Sequence, residues 1–350
     1  MKNFTPDYKN LENAARNKQA TRLPLYEHII GQGIIEEITG KSLEGLLFSK
    51  DLRDKTEYFN VYNNFFCEMG YDTVSFELCV GSVMPHSGLL GGQGESVIHT
   101  YDDFIKYPWD SIPDAYFEQY GESFRMLGET MPEGMKAVGG VGNGLFECVQ
   151  DVAGYMNLCD IKGEHPELFE ALFKKVGEIL LVIWQRFMRE YGDIFCVLRF
   201  GDDLGFKTST LLSPADIREF IIPEYKKIVE CVHAYGKPFL LHSCGCIFDI
   251  MPDLINTVKI DSKHSNEDVI APFTEWVKKY GKEIGNFGGI DMDVLCRLPV
   301  SGIRSHVHAI LDACKDGGGI AFSTGNSIPD YVPTANYIEM ANAVRVYRGE

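Results

Sequence analysis

The chain has 350 residues, a length that suits one α/β barrel with insertions as well as two smaller domains. Acidic residues number 50 against 33 Lys and Arg, and the resulting formal charge of -17 disfavours a nucleic-acid partner. No apolar run approaches the roughly 20 residues of a membrane span, and the first residues lack the apolar core of a signal peptide. These features predict a soluble, cytoplasmic protein that binds neither nucleic acid nor membrane.

Short apolar runs rich in β-branched and aromatic residues alternate with helical patterns along the chain. This alternation is typical of parallel βαβ units. The runs lie at residues 22–28, 73–78, 135–140, 194–200, 238–242, 257–261, 284–290 and 320–325. Eight strands is the count of a (β/α)8 TIM barrel, and we expect residues 1–350 to form a single domain of this class.

Helical segments fit between the predicted strands. Residues 166–191 carry apolar side chains at helical spacing, and Ser213 followed by Pro214 predicts the start of another helix. We expect an N-terminal helical extension before the first strand. Residues 81–132, which include a glycine-rich stretch at 88–94, show no clear barrel periodicity. They predict an insertion between the second and third predicted strands that caps the active-site mouth.

Polar side chains follow every predicted strand at its carboxyl end, where barrels of this kind carry their active sites. They are Glu27, His28, Glu77, Cys79, Asn143, Glu147, Asp202, Asp203, His242, Cys244, Lys263, His264, Asp291 and Asn326. One polar residue at a strand end is ordinarily a helix cap or a solvated loop residue. Converging sets from all the strands predict a shared pocket.

Two pairs among these residues suggest chemistry. His242 and Cys244 are two apart on an extended segment, so both side chains point to the same side and one zinc ion could take both. The alternative is a buried histidine beside a small apolar thiol, and the spacing alone leaves both open. Asp202 and Asp203 could form an acid–base pair, or one of them could cap the next helix.

With these residues assembled, the chain resembles the uroporphyrinogen decarboxylase superfamily, which also contains zinc-dependent methylcobamide methyltransferases. The resemblance covers nearly the whole chain and implies a barrel. It rests on residues 139–147, 202–205, 212–220, 242–245, 288–291 and 325–337.

The decarboxylase branch carries arginines after its first strand to bind a substrate with many carboxylates. Here the corresponding residues 26–33 contain no arginine. Glu77 stands where the resemblance places the decarboxylase's catalytic Asp, and Asn326 replaces the family's late His. We therefore expect no porphyrinogen decarboxylation.

The methyltransferase branch holds zinc with a His-x-Cys pair and a late Cys. His242 and Cys244 match the pair, but Asn326 stands at the late position, and an amide is a poor zinc ligand. Glu77 is the leading substitute ligand, followed by Cys79, Glu147, Asp202 and Asp203. A carboxylate in place of a thiolate leaves a harder, more Lewis-acidic ion, which favours an oxygen-bound methyl donor such as a methoxy compound.

The resemblance implies a zinc-dependent methyltransferase that moves a methyl group between a small substrate and the cobalt of a partner corrinoid protein docked at the barrel mouth. Glu77 would complete the metal shell or act as general acid, and Asp202, Asp203 and Asn326 complete the expected catalytic set. The substrate-binding candidates are His28, Asn143, Glu147, Lys263, His264 and Asp291. Two alternatives stay open: a metal-free decarboxylase of a small acid or a porphyrinogen-like substrate, and a non-catalytic barrel that binds a corrinoid or tetrapyrrole.

Overall fold

The computed structural model describes residues 4–86 and 95–350. Seven parallel strands of these residues form one sheet whose spatial order follows the sequence, as it does in a TIM barrel. They are β1 (Thr73–Cys79), β2 (Lys136–Gly142), β3 (Phe195–Gly201), β4 (Phe239–His242), β5 (Ser262–His264), β6 (Gly285–Ile290) and β7 (Ile320–Thr324). The TIM-barrel-like α/β fold is thus confirmed, with seven regular strands instead of eight.

The predicted first strand, residues 22–28, is not a regular strand but an extended segment that lies in space between β7 and β1. Leu25 forms a single parallel bridge with Phe322 of β7. On the other side, the Ser75 hydroxyl of β1 donates to the carbonyl of His28 at 2.6 Å. Pro24 has no N–H with which to extend a ladder, which is one reason why the pairing stops here. The segment nevertheless occupies the place of the eighth strand.

The predicted strand at residues 257–261 is wrong in position. Its first residues close a π-helical turn (Leu254–Val258), and Lys259 ends that turn with a left-handed φ of 66°. Val258 and Ile260 are both buried. The apolar pattern therefore came from the packing of a helix end, and the strand follows as β5.

The helices form the outer layer of the barrel. They are α1 (Lys9–Ala15), α2 (Gln32–Thr39), α3 (Leu52–Met69), α4 (Tyr101–Lys106), α5 (Ile112–Glu129), α6 (Leu145–Ala153), α7 (Tyr155–Glu164), α8 (Pro166–Tyr191), α9 (Pro214–Asp216), α10 (Ile222–Ala234), α11 (Met251–Asp253), α12 (Phe273–Tyr280), α13 (Met292–Arg297), α14 (Val300–Cys314) and α15 (Thr334–Tyr347). The helix predicted at 166–191 is confirmed as α8. Ser213 caps α9 by accepting from the Asp216 N–H at 3.1 Å, as predicted. No helix of the described residues is long and apolar enough to cross a membrane.

The predicted N-terminal helical extension is confirmed as α1, which closes the bottom of the barrel. Leu11, Ala14 and Ala15 are fully or almost fully buried. They pack against side chains of the barrel interior, including Val197 of β3 and Phe287 of β6. Because α1 covers the amino ends of the strands, the open face of the barrel is the carboxyl face.

The insertion predicted at residues 81–132 differs in its second half. Its glycine-rich stretch at 88–94 lies outside the described residues. Helix α5 does not cap the mouth but packs on the outside of β1 as an ordinary crossover helix. Its Tyr116 hydroxyl donates to the carbonyl of Leu78 at 2.9 Å, and Phe124 packs edge-on against Phe76. The aromatic residues are spaced at a helical period, so their stripe faces the barrel wall.

Candidate active site

The carboxyl ends of neighbouring strands bring the predicted histidines together. His242 ends β4 and pairs in register with Gly201 of β3 and with His264 of β5. The His28 ring stacks on the His242 ring with centroids 3.7 Å apart and planes within 6°. All three histidines are buried. The strand ends therefore bring His28, His242 and His264 into one packed cluster.

Hydrogen bonds in this cluster determine which nitrogen of His242 is free of hydrogen. The Nε2 of His264 lies 3.0 Å from the carbonyl of Thr324, which can only accept, so this nitrogen carries the proton. Burial lowers the pKa of His264 to about 3, so the ring is neutral and its Nδ1 is an acceptor. The Nδ1 of His242, 2.8 Å away, must then be the donor. Burial also holds the pKa of His242 well below its usual value. The Nε2 of His242 therefore presents a lone pair.

The thiol of Cys244 lies beside that lone pair. Its Sγ is 3.5 Å from the Nε2 of His242. The Asn326 amide donates to the same sulfur at 3.2 Å, and the Ser265 hydroxyl lies 3.7 Å from it. Burial, followed by the charge of Asp203, raises the pKa of Cys244, whereas the donors from Ser265 and Asn326 oppose that rise. Asn326 thus contacts the predicted ligand without being one.

Asp203 joins His242 and Cys244. One carboxylate oxygen of Asp203 accepts from the Cys244 N–H at 2.8 Å and lies 3.9 Å from the Nε2 of His242. The loops after β3 and β4 come together because Gly245 has a φ of 83° and a Cβ there would lie 2.1 Å from the backbone of Gly205. Only glycine fits such an approach. The two glycines of the sequence motifs therefore bring Asp203 to the thiol.

Among the described residues, two sets of three side chains place possible metal-ligand atoms within 4.8 Å of one another. One set is Asp203, His242 and Cys244, and the other is His28, His242 and His264. In the second set, the Nδ1 atoms of His242 and His264 are already engaged with each other at 2.8 Å. The first set combines a thiol, an imidazole lone pair and a carboxylate, which is a donor set that suits zinc.

Glu77, the leading substitute ligand from the sequence, lies in neither set. Its carboxylate accepts two hydrogen bonds from the Arg199 guanidinium, at 2.7 and 2.9 Å. Its second oxygen is 3.9 Å from the Nε2 of His28. Arg199 is fully buried, and its other bonds go to Tyr26 and Ser75. Arg199 is not among the residues predicted from the sequence, although one arginine in the apolar run of β3 is a signal of a buried ion pair.

Asp202 faces away from the mouth and caps α6. Its carboxylate accepts from the N–H groups of Phe146 at 2.8 Å and Glu147 at 2.7 Å, and from the Tyr225 hydroxyl. Burial raises the pKa of Asp202 to about 7, although these three bonds lower it. The sequence left open a cap of the next helix along the chain, whereas the structure places Asp202 at the amino end of α6, which precedes it in the sequence.

The Glu147 carboxyl group lies near Asp203 and is held in place by Asn143. The Asn143 amide donates to Glu147 at 2.8 Å, and the Asp203 N–H donates to the other oxygen at 3.2 Å. Asn143 adopts a left-handed φ of 63° and accepts from the Gly81 N–H at 3.2 Å. Burial, followed by the charge of Asp202, raises the pKa of Glu147 well above its usual value. Glu147 is thus placed directly behind Asp203.

Two of the predicted substrate-binding residues make other contacts. The Lys263 ammonium lies 3.7 Å from the centre of the Trp276 ring in α12 and donates to the Ser265 carbonyl. Burial lowers the pKa of Lys263 to about 7. Asp291 caps α13 by accepting from the Asp293 N–H at 2.8 Å. Its second oxygen accepts from the Asp268 N–H at 2.8 Å.

The fold and the site together define the class of this protein, an α/β barrel with a thiol, an imidazole and a carboxylate clustered at the carboxyl ends of its strands. Residues 93–347 match the family described as uroporphyrinogen decarboxylase (URO-D). The chain belongs to the URO-D family, as its motifs predicted.

Solved structures with a similar fold include a methyltransferase from Methanosarcina mazei. It is 15% identical, the match covers 97% of this chain and 98% of that chain, and the TM-score is 0.71. A second is described as a candidate vitamin-B12-independent methionine synthase from Listeria monocytogenes, 12% identical over 94% of this chain and 100% of that chain, with a TM-score of 0.55. At these identities the likeness shows the fold alone. No curated protein sequence matches the chain.

Proposed function

We propose that this protein is a zinc-dependent methyltransferase that transfers a methyl group between a small methylated substrate and a corrinoid protein. The observation that carries the proposal is the cluster of Asp203, His242 and Cys244 at the mouth of a URO-D family barrel. The Methanosarcina mazei neighbour is described as a methyltransferase, and its structural match covers both chains almost completely. All ten cysteines are free, which fits the expected cytoplasmic location.

The zinc would be held by the Nε2 of His242, the Sγ of Cys244 and a carboxylate oxygen of Asp203. When bound, zinc acts as a Lewis acid that stabilises negative charge on the heteroatom of the methyl donor. Asp203 replaces Glu77 as the proposed third ligand, because Glu77 is paired with Arg199. A carboxylate in the shell still favours an oxygen-bound methyl group, so O-demethylation of a methoxy compound is the proposed reaction.

The residues around these proposed ligands fix their tautomer, charge and position through hydrogen bonds that do not need a metal. His264 fixes the tautomer of His242 through the bond between their Nδ1 atoms. The Asn326 amide donates to the Cys244 sulfur and stabilises its thiolate form. The ion pair with Arg199 keeps Glu77 as a fixed carboxylate that can orient a substrate. Each of these groups acts through a hydrogen bond that the fold already supplies.

The carboxyl face of the barrel also offers a surface for a corrinoid protein. Large apolar side chains are exposed in loops that follow three different strands: Phe206 after β3, Val269 after β5 and Tyr331 after β7. Exposed apolar residues around a site are typical of a protein interface. A partner seated there would bring its corrinoid to the mouth where the methyl donor binds.

The test is zinc analysis of the purified protein together with methyl transfer from methoxyaromatics, methanol or methylamines to cob(I)alamin. We expect about one zinc per chain and transfer from an oxygen-bound donor. Asp203→Asn and Cys244→Ala should lower both zinc content and transfer. The matched control Cys246→Ala should retain zinc because Cys246 does not lie in the ligand set. A zinc-free protein that transfers no methyl group from any of these donors would overturn the proposal.

A further inference from the structure

A cavity of about 180 Å³ lies beside the histidine cluster, between β1 and the α2–α3 region. Its walls are mostly apolar and include Ile35, Leu43, Leu47, Tyr58 and Phe76. An apolar cavity of about 150 Å³ is large enough to hold benzene. The space therefore suits one aromatic ring or a similar compact apolar group.

The polar end of the cavity belongs to the candidate active site. His28, Glu77 and Cys79 all line it. The His28 ring is stacked on His242, so a group in the cavity lies one imidazole away from the proposed metal ligand. Among the described residues, the buried Nδ1 of His28 has no hydrogen-bond partner. A polar atom of a bound ligand would supply the missing hydrogen-bond partner.

The cavity carries no net charge to attract an ionic ligand. Glu77 is neutralised by Arg199 at 2.7 Å. Burial raises the pKa of the Cys79 thiol, so this side chain is uncharged. Burying an unpaired carboxylate or sulfonate among apolar walls is costly. The lining residues include no lysine or arginine that could pair with an anionic methyl donor.

We propose that this cavity, which we call the α2–α3 pocket, binds the uncharged, ring-sized apolar body of the methyl donor and excludes anionic donors. Every lining residue lies before residue 93, where the family match begins. The pocket therefore lies in the part of the chain that precedes the family match. That the bound molecule is a methyl donor rests on the proposed function. Binding to the pocket does not, because it is measured without methyl transfer.

The experiment measures binding of 2-methoxyphenol and 4-methoxybenzoate to the full-length protein by isothermal titration calorimetry at pH 7. We expect the neutral compound to bind at least about tenfold more tightly, a difference of about 1.4 kcal/mol. Leu47→Trp, which fills the pocket from a partly exposed position, should weaken binding of 2-methoxyphenol about tenfold. Leu46→Trp is the matched control on the same loop, outside the lining, and should leave binding within about twofold.

A second variant tests the charge argument. Leu47→Lys places a cation at the pocket and should shift the preference toward 4-methoxybenzoate, whereas Leu46→Lys should not. Equal or tighter binding of 4-methoxybenzoate by the unmodified protein, or no effect of Leu47→Trp, would overturn the inference. Failure of methyl transfer with intact binding of 2-methoxyphenol would count against the proposed function and leave the pocket assignment standing.

Discussion

The Nε2 lone pair of His242 is available at the mouth of the barrel because Thr324 and His264, which lie deeper, fix the tautomer of His242. The carbonyl of Thr324 accepts from His264, and His264 in turn accepts from the Nδ1 of His242. A histidine that ligates a metal commonly donates its other N–H to a fixed acceptor, which sets both tautomer and ring orientation. His264 is in this sense a positioning residue for the proposed metal ligand.

Replacement of His264 tests this role. His264→Leu removes the acceptor for the His242 Nδ1–H, and we expect zinc affinity to fall by about tenfold or more, the range seen when such partners are lost. His264→Gln keeps a carbonyl oxygen that can accept the same hydrogen, and it should retain most of the affinity. Competition with a zinc chelator at constant pH measures both. Equal zinc affinity in the leucine and glutamine variants would show that the tautomer is fixed in another way.

The residues of the candidate site differ in how well the sequence predicts their roles. His242 and Cys244 were found because their spacing is local and both lie at a strand end. Glu77 was assigned as a ligand because nothing local revealed that Arg199, 122 residues away in sequence, binds its carboxylate. Asp203 ranked behind it because the close approach of Gly205 and Gly245, which brings it to the thiol, is a tertiary feature.

At the scale of elements, the connection before α2 closes the barrel against β7 through a buried carboxyl group. The Thr324 hydroxyl lies 2.5 Å from both the Asn326 carbonyl and a carboxyl oxygen of Glu27. The Thr324 N–H lies 3.3 Å from both carboxyl oxygens, and the Thr324 hydroxyl donates to one of them. Burial outweighs these bonds and raises the pKa of Glu27 to about 8, so the carboxyl group is protonated below that pH.

The pH dependence of stability follows from this carboxyl group. Glu27 keeps its proton in the folded state up to about pH 8 but loses it near pH ~4.3 when unfolded. Its contribution is therefore fully present below about pH 4 and is lost as the pH rises toward 8, by up to about 1.4 kcal/mol for each pH unit. Glu27→Gln, whose carbonyl oxygen can accept from the same hydroxyl and whose amide does not ionise, should flatten the free energy of unfolding across this range. Urea denaturation from pH 4.5 to 8 checks this, and an unchanged slope in the variant would contradict it.

Most elements were predictable from the sequence, and the errors have physical causes. Helix α8 matches its predicted bounds because a long, amphipathic pattern specifies both type and extent. The strand expected at 257–261 failed because buried residues of a helix end resemble a short strand. The first strand became a single bridge, and α5 turned from a predicted cap into a crossover helix, because both outcomes depend on neighbours distant in sequence.

For the whole molecule, the proposed methyl transfer requires that a corrinoid protein dock on the carboxyl face of the barrel. Phe206→Asp and Tyr331→Asp place charges on exposed apolar positions of this face. We expect them to raise the KM for the corrinoid protein severalfold while transfer to free cob(I)alamin stays unchanged, because the free cofactor needs no docking surface. Val182→Asp, an exposed position on the outer helix α8, is the matched control. An equal loss with free cob(I)alamin would show that the substitutions damage the site and not the interface.

The proposed metal site holds zinc through one sulfur, one imidazole nitrogen and a carboxylate oxygen. Zinc K-edge X-ray absorption of the purified protein tests it most directly, because Zn–S and Zn–N/O distances differ, at about 2.3 and 2.0–2.2 Å. We predict a shell with one sulfur and the remaining ligands nitrogen or oxygen, and loss of the sulfur signal in Cys244→Ala. A shell with two or more sulfurs, or one without sulfur in the unmodified protein, would contradict the assignment of Asp203, His242 and Cys244.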